Sequence, residues 1–139
     1  MLTKSKKQKG KWLEKLVAKK FKEITPYVYS RADSGSGKFH KEDVTLPDNL
    51  PFFIECKNQA EINIKQWWKE TIDGCPAGKF PILIYKQNYQ REPTVVTTFF
   101  NLLSYISRVK ELPEDNSLQF LIHLNFTDFI NLIKSKNES

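Results

Sequence analysis

Cysteine is scarce: Cys56 and Cys75 are the only two in 139 residues, too few for a disulfide framework, and neither lies in a Cys-x-x-Cys or Cys/His spacing that would hold zinc. The expectation is a reducing, intracellular setting, cytoplasm or nucleoid, or that of a host cell for a viral protein. No apolar run approaches the ~20 residues that span a bilayer. The opening MLTKSKKQKGKW has no apolar signal-peptide core, so no membrane partner is expected. Only 5 Gly and 7 Pro accompany 40% hydrophobic and 13% aromatic residues, which excludes a collagen-like, low-complexity or disordered chain. There is no internal repeat, and the length suits one hydrophobic core, so 1–139 reads as a single domain.

Positive charge is present in excess, 22 basic against 16 acidic residues, a net +6 that makes a polyanion the first partner to consider. The excess is local. Residues 1–24 hold nine lysines against Glu14 and Glu23, a surplus of seven that leaves the remainder at −1. Residues 1–9 read as a basic, mobile arm whose Lys4, Lys6, Lys7 and Lys9 would follow a nucleic-acid backbone without reading bases. A solubilising tail has the same composition.

Hydrophobic spacing predicts an amphipathic helix over Gly10–Ile24, with Leu13, Leu16, Val17, Phe21 and Ile24 on one face and Lys11, Lys15, Lys19 and Lys22 opposite. Pro26 ends it. A short strand at Tyr27–Tyr29 leads into the small-residue loop Arg31–Gly37. Strands over His40–Leu46 and Pro51–Lys57 then form a hairpin through Pro47-Asp48-Asn49. Asn63 reads as the N-cap of a helix Ile64–Asp73 that stops at Gly74. Strands follow at Phe80–Tyr85 and Thr94–Phe99, then a helix Asn101–Lys110, a strand Leu118–Leu124 and a helix Thr127–Lys134, with 100–139 read as an extension of the core. The order implies an α/β domain with a central mixed β-sheet flanked by helices.

In Phe52-Phe53-Ile54-Glu55-Cys56-Lys57, alternation puts Phe53, Glu55 and Lys57 on one face and Phe52, Ile54 and Cys56 on the other. A carboxylate and an ammonium at the end of an apolar strand need a reason, because burying charge is costly unless it is paired or bound. An edge-strand salt bridge is one reason. The hairpin supplies another by bringing Asp43 near Glu55. Two carboxylates repel, and a hard divalent cation such as Mg²⁺ relieves the repulsion, accepts oxygen ligands and activates water. Lys57 would then orient the water or neutralise charge developing on a phosphate. Glu14, between the small residues Gly10 and Ala18 on the helix margin, is a third acid within reach of that water, or a solvated partner of Lys11 or Lys15. Trp67, Trp68, Phe99 and Phe100 are read first as core, with base stacking or a dimer surface as the alternative. His40 reads as a surface residue and His123 as structural.

This series resembles the PD-(D/E)xK nuclease superfamily, and within it the archaeal-type Holliday junction resolvases and phage-encoded endonucleases. The resemblance is carried by Lys9-Gly10 with Glu14, Arg31 before Ser34-Gly35-Ser36, Asp43-Val44 and Glu55-Cys56-Lys57, in family order over residues 9–86. Glu-x-Lys alone is common; the ordered series is not. The loop before the acid is longer than in the resolvases, either Ser34 or Ser36 takes the serine position, and Glu42 stands where the family has proline. Glu42 is therefore the alternative to Asp43, which is favoured because an apolar residue follows it.

The resemblance implies a restriction-endonuclease-like core and a Mg²⁺- or Mn²⁺-dependent endonuclease leaving 5′-phosphate and 3′-hydroxyl ends. Asp43, Glu55 and the backbone carbonyl of Cys56 would hold the metal, with Glu14 acting directly or through water and Lys57 completing the catalytic set. Arg31, Ser34, Ser36, Lys4, Lys6, Lys7, Lys9, Lys11 and Lys86 would contact DNA. Junction DNA as substrate, and a symmetric homodimer to cut it twice, are the corresponding partner expectations. From another class, a non-catalytic basic DNA-binding protein would account for the lysine-rich helix and leave the acids as surface pairs.

Overall fold

The lysine-rich start forms α1, Lys6–Phe21, in a computed structural model that describes residues 6–30, 42–107 and 115–138. Leu13, Val17, Ala18 and Phe21 on its inner face are all buried. The helix begins earlier than the Gly10 start predicted, so Lys6, Lys7 and Lys9 belong to it and not to a mobile arm. Lysine and glutamine are good helix formers, and Gly10 sits in open space where its only penalty is propensity, about 1 kcal/mol. Residues 1–5 lie outside the described segments.

Among the described residues a six-stranded sheet follows in the spatial order of the sequence. Its strands are β1 (Tyr29–Ser30), β2 (Val44–Thr45), β3 (Phe52–Lys57), β4 (Phe80–Tyr85), β5 (Thr94–Thr98) and β6 (Leu121–Asn125). β3 and β4 are parallel and every other neighbouring pair is antiparallel, which makes the sheet mixed as predicted. Two parallel neighbours need a crossover, and α2 (Ile64–Gly74) supplies it. Its N-cap is Asn63, whose side-chain oxygen accepts the Gln66 N–H at 3.3 Å, closing one of the orphan donors of the first turn. The hairpin partner of β3 is shorter than the predicted His40–Leu46: among the described residues only Val44 and Thr45 are strand.

Alternation along β3 and β4 sorts the core into two layers. Phe52, Ile54, Cys56, Ile82 and Ile84 face α1, while Leu83 and Tyr85 pack with Trp67 and Trp68 of α2. Both tryptophans are therefore core, as first read, and the Trp68 indole N–H donates to the Asn116 carbonyl at 2.8 Å. With both faces covered, the central strands read as continuous apolar runs. This α/β sandwich is the restriction-endonuclease-like architecture that the resemblance implied.

The last third is part of that core and not an appendage. α3 spans Phe99–Ile106, starting directly from β5 because Thr98 Oγ1 caps it by accepting the Asn101 N–H at 3.1 Å. Residues 118–120 form a 3-10 turn, so β6 lies at Leu121–Asn125 and completes the sheet. His123 on it is exposed and does not serve the core. α4 (Phe126–Glu138) then sends Phe129 and Ile133 inward. Phe129 meets Phe52 edge-on at 5.6 Å and Phe21 at 6.4 Å, joining α4, β3 and α1. Phe129→Ala is accordingly expected to cost about 3–5 kcal/mol in chemical denaturation. A loss below about 1 kcal/mol would make α4 peripheral.

Candidate active site

β2 and β3 pair only at Val44↔Ile54. The Asp43 N–H, just before β2, also donates to the Ile54 carbonyl, at 3.0 Å, so Asp43 and Val44 both stand against one residue of β3, the count of a β-bulge. Bulges re-aim side chains, and here Asp43 turns its carboxylate onto β3, where Oδ2 accepts the Cys56 N–H at 2.8 Å. A side chain thus replaces the main-chain acceptor at the point where the two strands part. The fork it makes is the site.

Asp43 is buried, and beside it Glu55 keeps about a fifth of its side chain exposed. Burial, the neighbouring Asp43 carboxylate and a hydrogen bond with it push the Glu55 carboxyl up to about 7, against a smaller opposing pull from Lys57. Glu42, the alternative acid, points elsewhere: it pairs with Lys79 at 3.5 Å. Burial first, and then the charges of Asp43, Glu14 and Glu55, hold the Cys56 thiol well above its usual range, so Glu14 of α1 acts electrostatically on the same strand. All three acids act on that one residue, yet among the described residues no group of three or more His, Cys, Asp or Glu side chains is close enough to hold a metal ion. Two close carboxylates remain as the donor set. That set fits Mg²⁺, which takes one or two carboxylates and fills its other positions with water and substrate phosphate.

Lys57 stands next to this pair, Nζ 3.9 Å from Glu55 Oε1. Its nearer partner is Glu70 of α2, at 2.7 Å. The Lys57 hydrogen bond, with help from Gln66 Nε2 at 3.2 Å, holds the Glu70 carboxyl below its ordinary value. Glu70 and Gln66 were absent from the sequence reading because no motif marks them. The only signal was positional: Glu70 lies one turn after the buried Trp67, at the margin of the face α2 lays on the sheet.

Beyond Lys57 the strand ends in Asn58, whose amide donates to the Lys9 carbonyl at 3.1 Å and pins the start of α1. Lys86, also predicted to contact DNA, follows β4, and its N–H donates to the Lys57 carbonyl at 3.0 Å. Lys9 and Lys86 come together around Trp12, while Lys11 is exposed on α1. Lys6 and Lys7 are in α1 by backbone. Lys4, Arg31, Ser34, Ser36 and His40 lie outside the described residues.

A raised carboxylate pKa has a direct stability consequence. Between about pH 4.5 and 7 the folded state holds a proton that the unfolded state has released, so folding weakens as pH rises through that window. In EDTA, Glu55→Gln, whose amide still donates to Asp43, is expected to stabilise the fold at pH 8 by up to about 3 kcal/mol, and by nothing near pH 4. Equal thermal midpoints for both proteins at pH 8 would mean that the two carboxylates are not in conflict.

No curated protein and no solved structure matches the chain. Among the described residues no helix is long and apolar enough to cross a membrane. The family model described as "Phage putative PDDEXK endonuclease" matches residues 5–134, from the first lysines to the last helix. With its paired acids at a strand fork and Glu-x-Lys on the central strand, the chain belongs to that family of PD-(D/E)xK nucleases.

Proposed function

We propose that the protein is a divalent-metal-dependent DNA endonuclease that hydrolyses phosphodiester bonds to 5′-phosphate and 3′-hydroxyl ends and acts on branched DNA in the manner of a Holliday junction resolvase. The observation that carries the reading is the pairing of buried Asp43 with partly buried Glu55 at the β2/β3 fork, with Lys57 beside them. Asp43, Glu55 and the Cys56 carbonyl would hold Mg²⁺ or Mn²⁺, with Glu14 reaching it through water. A bound ion of this kind supplies Lewis-acid charge and a water of lowered pKa.

The protein groups then have separate tasks. Asp43 is fixed by the Cys56 N–H, so its carboxylate keeps a constant direction beside Glu55. Lys57, braced by Glu70, presents an ammonium that orients the attacking water or offsets charge developing on the phosphate oxygens. The lysines of α1 contact phosphates and carry no base readout, which favours selection by DNA shape over sequence. Two opposed cuts in a junction call for a symmetric dimer.

End-labelled four-way junction, linear duplex and single-stranded DNA, each with Mg²⁺ or EDTA, test the reading. Wild type is expected to make paired symmetric cuts in the junction with Mg²⁺ only. Asp43→Asn, which keeps an acceptor for the Cys56 N–H, is expected to lose cleavage by at least about a hundredfold while binding DNA as tightly or more tightly. Cutting of linear DNA alone would remove the junction preference. Binding indifferent to Mg²⁺, with no cutting of any substrate, would make the chain a basic DNA-binding protein.

A further inference from the structure

Next to the acidic fork, a small open pocket of about 180 Å³ is lined by Lys9, Trp12, Asn58, Lys86 and Asn88. It lies on the α1 side of the sheet at the carboxyl ends of the two parallel strands, one residue beyond Lys57 on β3 and one beyond Tyr85 on β4. Open sheets collect ligands at such strand ends. The walls are tied together: Asn58, itself buried, bonds to the Lys9 carbonyl, and Lys9 Nζ donates to Asn88 Oδ1 at 3.3 Å. Trp67 and Trp68 are buried against the sheet, whereas Trp12 is 40% exposed on the pocket wall.

The lining combines an indole, two ammonium groups and two amides. An aromatic face with two ammonium groups in the same pocket matches a nucleotide, whose base stacks and whose phosphates need positive partners. The volume is smaller than the roughly 300 Å³ or more of a drug-sized or cofactor pocket, which favours one base over a larger ligand. Lys86 Nζ covers the Trp12 ring at 5.3 Å from its centroid. At an exposed site that cation–π contact is weaker than base stacking, so an entering base displaces the ammonium toward the adjoining phosphate. From Glu55 to Asn58 is three residues, about 10 Å along the strand. That is the rise of about three stacked nucleotides, and fewer of an unstacked strand.

We propose that this pocket accepts a single unstacked nucleotide of the strand being cut, its base on Trp12 and its flanking phosphates on Lys9 and Lys86. The inference rests on the nuclease reading and deepens it: the substrate is DNA with an unpaired nucleotide beside the cleaved bond, as at a branch point, in preference to continuous duplex. Lys9 and Lys86 thereby acquire a shared task that neither had as an isolated phosphate contact.

Binding in EDTA isolates the pocket from cleavage. The probes are a duplex carrying one unpaired 2-aminopurine and the same duplex fully paired, titrated by anisotropy and by 2-aminopurine emission. Trp12→Ala is expected to weaken binding to the unpaired substrate by roughly five- to a hundredfold and to change duplex binding by less than about twofold, while Trp12→Phe keeps most of the affinity. The 2-aminopurine emission should be quenched on wild type and stay bright on Trp12→Leu, which keeps apolar bulk without a ring and serves also if Trp12→Ala does not fold. Equal losses on both substrates, no loss on either, or bright emission on wild type would each overturn the proposal. Trp12-dependent discrimination in a protein that cuts nothing in Mg²⁺ would sink the nuclease reading and leave the pocket standing.

Discussion

The hydrogen bond from the Cys56 N–H to Asp43 Oδ2 does the work that a main-chain carbonyl does elsewhere in the sheet. Because the acceptor belongs to a side chain, β2 leaves β3 without orphaning a buried donor, which would otherwise cost about 1–3 kcal/mol. The departure opens the space in which Glu55 and Lys57 project, and it places the second carboxylate against the first. The Asp43–Glu55 pair inherits its position from this one substitution of side chain for backbone.

The site is held in an unfavourable electrostatic state by a favourable scaffold. Phe52, on the opposite face of the strand that bears Glu55, packs against Phe129, Tyr105 and Phe80. Its neighbour Phe53 lies beneath α2, close enough that a Cβ on Gly74 would come within 3.1 Å of its ring. Packing on both faces holds β3 in place while the two acids oppose each other near its end. A softer strand would let them separate and lose their common focus.

Much of this was legible in the sequence where a local rule and the tertiary environment agree. The alternation of β3 separated Glu55 and Lys57 from the apolar face, Asn63 announced its helix, and Phe80–Tyr85 is the strand its composition describes. Asp43 was placed by its apolar successor, and Glu42 turned to Lys79. What escaped is what depends on packing angle. Glu70 reaches Lys57 from a helix whose rotation is set by buried Trp67, and Trp12 meets Lys86 on a helix whose first turns are tied to β3 by Asn58. Neither relation has a sequence period. The ends of β6 and α3 moved by a few residues because capping by Thr98 and the 3-10 turn before Leu121 override the apolar pattern.

The segment between β4 and β5 is anchored at both ends. Lys86 N–H is bound to the Lys57 carbonyl, and the Pro93 carbonyl accepts the Phe126 N–H at 3.1 Å. Between these clamps the chain passes through Tyr89, fully exposed and in the left-handed region at φ 73°, a conformation that costs a residue other than glycine about 1 kcal/mol or more. Beyond Asn88, which Lys9 holds, a tip so exposed between fixed ends can be lengthened or shortened with little change in stability, since closure entropy grows slowly with length. The fold therefore separates a fixed part from a variable one: the paired acids are held within the sheet, and the tip around Tyr89 is free to change without disturbing them.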